Sequence, residues 1–438
     1  MRWRSTRAAV VLIGAIACTA GPAVLPIGEE PGPPTPCPER PVVTGAVATG
    51  AVAEPAVAAP RVLGRSWIAR TDSDRIRWFD PVTLQRTDAY WAALPEQTSA
   101  WAVSPAGGLI AIGLQESIRV IDTATFRTIA ELPPGGGSST LAWLSDGTLV
   151  SVGWDEARIW DEGSWNLRPI QLPSAIVAQF VASDRLLLVT GRDVRGVGAP
   201  RARLVEIRAS GVRSFSLERI EVFDAERGEI GVGLVPGLAY DPLGRRVFVI
   251  PPEGPIAEVH LSDGSVRYEP SPASFLRTIA ASFLPAAVAK MGEWELVRAV
   301  WLGDGLLAVS GETGGTLDLD VSAAGVSIVD TRDWSVCLLD PRPTRVAVSD
   351  GVLLTWGGAE FGEFGGTGLV GYDLRDGDRW HRFGRQYLDL QFYGRYAYAI
   401  NSWRGWRVRT VDLSTGAVIA RHRGRPPAVL PTGSMSAW

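Results

Sequence analysis

An apolar strand that ends in a carboxylate or other polar residue and runs straight into a tight turn recurs along this chain. No other feature limits its fold so strongly. The tokens are IRWFDPVT from Ile76, IRVIDTAT from Ile118, ARIWDEGS from Ala157, IEVFDAERG from Ile220, AEVHLSDG from Ala257, VSIVDTRDW from Val326, VGYDLRDG from Val370 and RTVDLSTG from Arg409. Repetition of this kind marks a protein assembled from small units that cannot bury their apolar faces alone. The clearest unit runs from Trp101 as WAVSP, a turn at 106–108, LIAIG, a short loop, SIRVID, a turn at 122–125 and FRTIAEL. The next repeats that order with LAWLSDG, TLVSVG, ARIWDEGSW and a strand near 167–172. After Arg61 no long helical period dominates, so the chain reads as all-β with four strands per unit. The turn residues Asp80, Asp122, Asp161, Asp224, Asp330, Asp373 and Asp412 are predicted to accept bonds from backbone amides two or three residues on.

A four-stranded sheet this short has two faces to hide, so successive sheets pack radially and the ring has to close. These units resemble WD40-like and YVTN-type β-propeller repeats, and VDLSTG resembles the repeats of quinoprotein propellers. The resemblance covers about Arg61 to Trp438. Its motifs are degenerate, Trp160-Asp161 being an isolated Trp-Asp pair. It implies a propeller of four-stranded antiparallel blades, and fold alone does not set function. With about 54 residues of insertions set aside, the chain after Pro60 gives about 40 residues per blade for eight and about 46 for seven; a WD40 blade takes about 40 to 45. Eight is preferred, with seven as the alternative. The first unit shows three strands, at 66–70, 76–79 and 84–86, so 428–438 is expected to supply its inner strand and close the ring. In the unit at 201–229, RLVEIRASG and IEVFDAERG compete to be the third strand.

The N-terminus carries an address. Arg2, Arg4 and Arg7 precede the uncharged run 8–17 and then small residues, the pattern of a secretory signal over 1–18. Cys18 after Ala15, Ile16 and Ala17 fits either a lipoprotein signal that acylates it or an ordinary cleavage site; an uncleaved anchor over 8–27 is interrupted by Pro22 and Pro26. Residues 19–60 are rich in Pro, Ala, Gly and Val and read as a disordered linker before the propeller of 61–438. The expected location is extracytoplasmic, secreted or lipid-anchored to the outer face of the membrane. With Cys18 removed or acylated, Cys37 and Cys337 remain. They either bridge in an oxidising compartment or stand as a free linker thiol and a buried strand thiol. The second reading is preferred, because sequence spacing says nothing of proximity.

In such a blade, the second-to-third strand loop and the connection to the next blade leave on one edge. Extra lengths fall at 192–201, 313–323 and 359–367 between second and third strands, and at 271–293 between blades, so all four share an edge and adjacent blades. Long loops gathered on one edge of a repeat protein point to a binding surface. They bring Arg192, Arg195, Glu312, Asp318, Asp320, Glu360, Phe361, Glu363 and Phe364, with Trp403 and Trp406 nearby. Aromatics beside glycine and both charge signs suit a protein or glycan of the cell envelope. The segment from Ala273 carries an apolar stripe at helical spacing and is predicted to be a helix broken at Pro285, a cover for the ring or a docking helix.

The chemistry a catalytic reading needs is sparse. The only histidines are His260, His381 and His422, expected on third or fourth strands away from the inner channel. The chain has no Gly-x-Ser-x-Gly elbow, no Gly-Lys-Ser phosphate loop and no paired-Cys metal motif. Asp318 and Asp320 fall short of the oxygens Ca²⁺ requires. The expectation is a non-catalytic, monomeric binding propeller without cofactor or metal. The alternative is a lactonase-like or quinoprotein-like enzyme using the central pocket. The formal charge of −4, from 43 basic and 47 acidic residues, provides no field to hold nucleic acid.

Overall fold

The computed structural model describes residues 36–37, 41, 62–66, 74–80, 82–94, 100–114, 116–125, 127–133, 140–153, 156–172, 175–182, 184–191, 201–224, 232–269, 293–314, 322–357, 367–384, 389–401, 407–423 and 427–428. Sheet one contains β1 (Val62–Ser66), β2 (Asp74–Phe79) and β3 (Arg86–Leu94). Sheet two is β4 (Ala100–Val103), β5 (Leu109–Gly113), β6 (Ile118–Asp122) and β7 (Thr128–Leu132). Sheet three is β8 (Thr140–Trp143), β9 (Leu149–Val152), β10 (Glu156–Trp160) and β11 (Leu167–Gln171). Sheet four is β12 (Ala175–Ala182), β13 (Arg185–Gly191), β14 (Ala202–Arg208) and β15 (Gly211–Leu217). Two short strands follow, β16 (Phe223–Asp224) and β17 (Val232–Val235). Sheet five is β18 (Gly237–Asp241), β19 (Arg246–Ile250), β20 (Ile256–His260) and β21 (Val266–Glu269). Sheet six contains β22 (Glu293–Gly303), β23 (Leu306–Gly314), β24 (Ser322–Asp330) and β25 (Val336–Asp340). Sheet seven is β26 (Arg345–Ser349), β27 (Val352–Trp356), β28 (Leu369–Asp373) and β29 (Arg379–Arg382). Sheet eight is β30 (Asp389–Tyr393), β31 (Tyr396–Asn401), β32 (Arg407–Asp412) and β33 (Val418–Arg423), and β34 (Pro427–Ala428) ends the described chain.

Among the described residues there are eight sheets, built as antiparallel meanders of four strands in sequence order. The exceptions are the two sheets that recruit extra strands. Sheet one takes β34 beside β1, with Leu63 opposite Ala428 and Gly64 opposite Pro427, so the C-terminal segment joins the first sheet. The pairing begins at Pro427, one residue before the predicted boundary; residues 429–438 lie outside the described residues. In sheet one β1 lies earlier than the expected 66–70 and β2 begins before residue 76, whereas β3 starts after residue 84 and runs on to Leu94; β1 pairs all along β2, from Val62 opposite Phe79 to Ser66 opposite Arg75.

Most strands are apolar at consecutive positions because each sheet buries both faces. In β13, Leu187 and Val189 enter the core shared with sheet five, while Leu186 and Leu188 enter the core shared with sheet three. The same alternation places separate apolar cores between sheets two and three, five and six, six and seven, and seven and eight. Leu84 of the turn after β2 packs with Tyr398, Ile400 and Val408 of sheet eight, so the last sheet meets the first. Burial of this apolar surface between neighbours drives the ring together.

In the fourth unit RLVEIRASG wins the third position. Its Ala209-Ser210 turn leads directly into β15, and the hairpin pairs from Arg208 opposite Gly211 to Ala202 opposite Leu217. IEVFDAERG yields only β16, so one of the eight tokens does not belong to a blade turn.

The predicted Asx turns form at five of the seven aspartates. Asp80 accepts from the amides of Val82 (3.0 Å) and Thr83 (2.7 Å), and Asp122 from Ala124 (3.1 Å) and Thr125 (2.7 Å). Asp330, Asp373 and Asp412 accept from the amides of Arg332, Arg375 and Ser414. Asp161 instead binds Arg168 Nη2 at 2.8 Å, and the residues that follow Asp224 lie outside the described residues. In the turns that begin at Asp80, Asp330, Asp373 and Asp412 the fifth residue is left-handed, and it stitches neighbouring sheets in two ways. Where it is large it reaches back: Trp334 (φ 60°) meets Phe248 of sheet five edge-on, with ring centroids 6.3 Å apart. Where it is Gly416 (φ 64°), a Cβ would lie 2.5 Å from the ring of Trp380, the sheet-seven side chain that occupies that space and donates to Leu413 O at 3.1 Å.

Cys37 and Cys337 are bridged, which corrects the expectation of two free thiols. Backbone pairing brings them together: Cys37 N donates to Leu338 O at 3.1 Å, and Pro36 forms a parallel bridge with Leu338 on the outer strand β25. A contact across 300 residues leaves no trace in local sequence. The helix expected from Ala273 and the signal at 1–18 lie outside the described residues.

Candidate functional site

Up-and-down strand order sorts the connections by edge. The segments 192–200, 315–321, 358–366 and 402–406 join second to third strands, and 270–292 joins β21 to β22, so the strand ends that flank them open on one edge. Ten of the eleven residues read as a binding rim, Arg192, Arg195, Asp318, Asp320, Glu360, Phe361, Glu363, Phe364, Trp403 and Trp406, lie outside the described residues, as does Cys18.

Glu312 is described, and it is buried on β23 rather than displayed. Its Oε1 accepts from Arg298 Nη1 at 2.9 Å. The same Arg298 nitrogen donates to Thr344 O at 3.2 Å, and Ser310 Oγ donates to that carbonyl at 3.0 Å. Thr344 immediately precedes β26, so Glu312 holds the guanidinium that ties sheet six to sheet seven beneath the excursions. A buried carboxylate opposed by a half-buried guanidinium is engaged in bracing the edge.

Above this tie the edge is raised by an element the sequence did not disclose. Residues 293–296 of β22 extend past the sheet and pair in parallel with β17, Val232 opposite Glu293 through Val235 opposite Leu296. On the far side of β17 lies β16. The β23–β24 hairpin also continues outward, with Glu312 opposite Ala323 and Thr313 opposite Ser322, beyond a register shift at 311–312. The expected loop at 313–323 is therefore partly sheet. Gly325 permits the shift, since with φ 74° its missing Cβ would lie 2.6 Å from Asp340 O. Val232, Leu234 and Leu296 of this extension are buried. The available signal was the apolar quartet VGLV between two turns, which fits no blade position.

The opposite edge is short-turned and self-neutralised. Arg185, at the start of β13, binds Glu206 Oε1 at 2.8 Å and Asp184 Oδ1 at 2.9 Å, and lies 5.0 Å over Tyr240 of the next sheet. Arg246, at the same place in sheet five, binds Asp241 and Glu258 and lies 5.7 Å over Trp301 of sheet six. Arg332 and Arg375 pair with the turn residues Asp330 and Asp373. The bond from Arg185 holds the Asp184 carboxyl below the usual carboxylate range, and those from Arg332 and Arg375 do the same for Asp330 and Asp373. Charges spent on one another in this way leave little for a ligand.

His260 lies on the third strand β20, and His381 and His422 lie on the outer strands β29 and β33, as the sequence indicated. Among the described residues no three His, Cys, Asp or Glu side chains gather as a metal site.

No family model and no curated protein matches the sequence. Solved structures match in shape. The dihydro-heme d1 dehydrogenase NirN in complex with DHE aligns with TM-score 0.55 and 13% identity over 88% of this chain and 78% of that chain. Saccharomyces cerevisiae Sqt1 gives 0.48 and 12% over 77% and 87%, and BamB from Moraxella catarrhalis gives 0.45 and 11% over 77% and 92%. The fold is a β-propeller. Identities this low speak to architecture alone.

Proposed function

We propose that this chain is an exported, non-catalytic binding propeller that recognises a protein or glycan of the cell envelope through the edge bearing the excursions. The observation that carries the reading is the asymmetry of the two edges. One gathers the long connections and a raised sheet extension, and the other is closed by short turns and paired charges. Ligand sites in repeat folds concentrate where insertions accumulate on a rigid scaffold. Export rests on the basic and apolar N-terminal pattern and is supported by the Cys37–Cys337 bridge, since disulfides persist in oxidising compartments. Acylation of Cys18 would tie such a domain to the membrane.

The test replaces residues 358–366 with a Gly-Ser linker and pairs it with Arg332→Glu on the opposite edge. Each protein is used to capture crosslinked partners from the envelope of the source cell, with quantitative mass spectrometry. A ligand retained by the parent and by Arg332→Glu but lost by the loop replacement, with the thermal transition kept, is the expected result. The same partners recovered by all three proteins would refute the assignment.

A further inference from the structure

In the register of β32 and β33, Arg407 stands opposite Arg423 and Arg409 opposite Arg421. Directly opposed residues share one face of a sheet with Cβ atoms about 5 Å apart, where like charges are destabilising. Successive members along each strand follow at about 7 Å. The face is the one turned toward sheet seven: Val411 enters the core shared with that sheet, and Arg409 lies 4.7 Å over the Phe383 ring. Arg407, Arg421 and Arg423 are exposed, with Arg409 half-buried between them and the core. Among the described residues none of the ion pairs involves Arg407, Arg421 or Arg423. Burial, then the charges of Arg421 and Arg407, pull the pKa of Arg409 below its usual value. Four cations are thus held together at the excursion edge of a chain whose formal charge is negative.

The geometry points to this array as a binding site for an acidic polysaccharide, a linear polymer with carboxylates on successive sugars. The array complements negative charge, and its two-by-two spacing spreads that charge over a surface rather than focusing it on one anion. A peptide docks on a sheet most readily by adding a strand at its edge. The edge strand here, β33, carries Arg421, His422 and Arg423, and charges of this kind guard an edge against strand addition. A polymer lying across the face needs only the side chains. The site deepens the binding-face reading by naming a ligand class and rests on that reading for the edge it occupies.

The test uses the full chain and immobilised polygalacturonate, with dextran as the neutral control and poly-glutamate as the acidic-peptide control, read by biolayer interferometry at low salt. Binding to polygalacturonate, absent for dextran and weaker for poly-glutamate, is expected to fall about tenfold or more in Arg421→Gln/Arg423→Gln. Added salt should weaken it as well. Because the array repels itself, the same variant is expected to keep or raise its thermal transition. No binding to polygalacturonate, undiminished binding by the variant, or equal binding to poly-glutamate would overturn the site. A lowered transition would overturn it too, by showing that the arginine stems are packing groups. The loop replacement at 358–366 separates the two readings: an envelope ligand lost with that loop while polygalacturonate never binds would reject the array and leave the face intact.

Discussion

Replacing Glu206 with Gln tests how neighbouring sheets are fastened on the short-turned edge. Glu206 is fully buried, and its Oε1 accepts from Arg185 Nη1 at 2.8 Å and from Arg208 Nε at 2.6 Å. Arg185 is itself buried and spans to Tyr240 of the next sheet. The substitution keeps the shape but leaves Arg185 with Asp184, which is about half exposed, as its remaining counter-charge. Orphaning one member of a buried pair costs about 3 to 5 kcal/mol, whereas replacing both members with apolar groups of similar size is often neutral. Glu206→Gln is therefore expected to lose about 3 kcal/mol or more, and Arg185→Met/Glu206→Met much less than the sum of its single substitutions. Calorimetry and urea titration of the parent, Glu206→Gln, the two single Met variants and the double Met variant supply the comparison. A loss below about 1 kcal/mol for Glu206→Gln, or additivity in the double variant, would refute the clamp.

Three further outcomes follow from the same contacts. Gly416→Ala should destabilise by about 1 to 2 kcal/mol from the left-handed backbone alone, and more from the Trp380 contact; Trp380→Leu should reduce the penalty in a denaturant cycle, and full additivity would contradict the stitch. Cys337→Ser should cost about 2 to 4 kcal/mol by freeing a 300-residue loop in the unfolded chain, whereas an unchanged thermal transition with and without reductant would count against the bridge. In acid, Asp80, Asp184, Asp330 and Asp373 have folded pKa values below their unfolded ones, for Asp80 through the amide of Thr83 and for the other three through the arginine side chains. Their stabilising effect is complete above the unfolded pKa of about 3.9 and is lost as pH falls through the folded values; thermal scans should show the drop below about pH 4, and a flat profile there would contradict it.

The architecture could be read from the chain because its information is local and repeated. Four apolar runs per unit, tight turns and a surplus C-terminal segment dictate short sheets that have to pack on one another and close. The errors came from pairings that local pattern does not encode. IEVFDAERG has the composition of a blade strand, yet β14 and β15 already complete the fourth sheet. VGLV looks like a fragment, yet it finds β22 in parallel across an intervening sheet. Cys37 meets Cys337 only because the chain returns to β25. For the site, the edge could be inferred from where the long connections fall. The role of Glu312 could not, since its partner Arg298 is set by the β22–β23 register. The arginines of β32 and β33 were visible as residues, but their opposition appears only once the two strands are paired.

Closure of the ring is tested most directly by calorimetry of a chain ending at residue 426, which lacks β34. Loss of the pairing at Leu63 and Gly64 should strip sheet one of its fourth strand and lower and broaden the unfolding transition by many degrees. A thermogram that superimposes on that of the full chain would contradict a ring locked by its two ends.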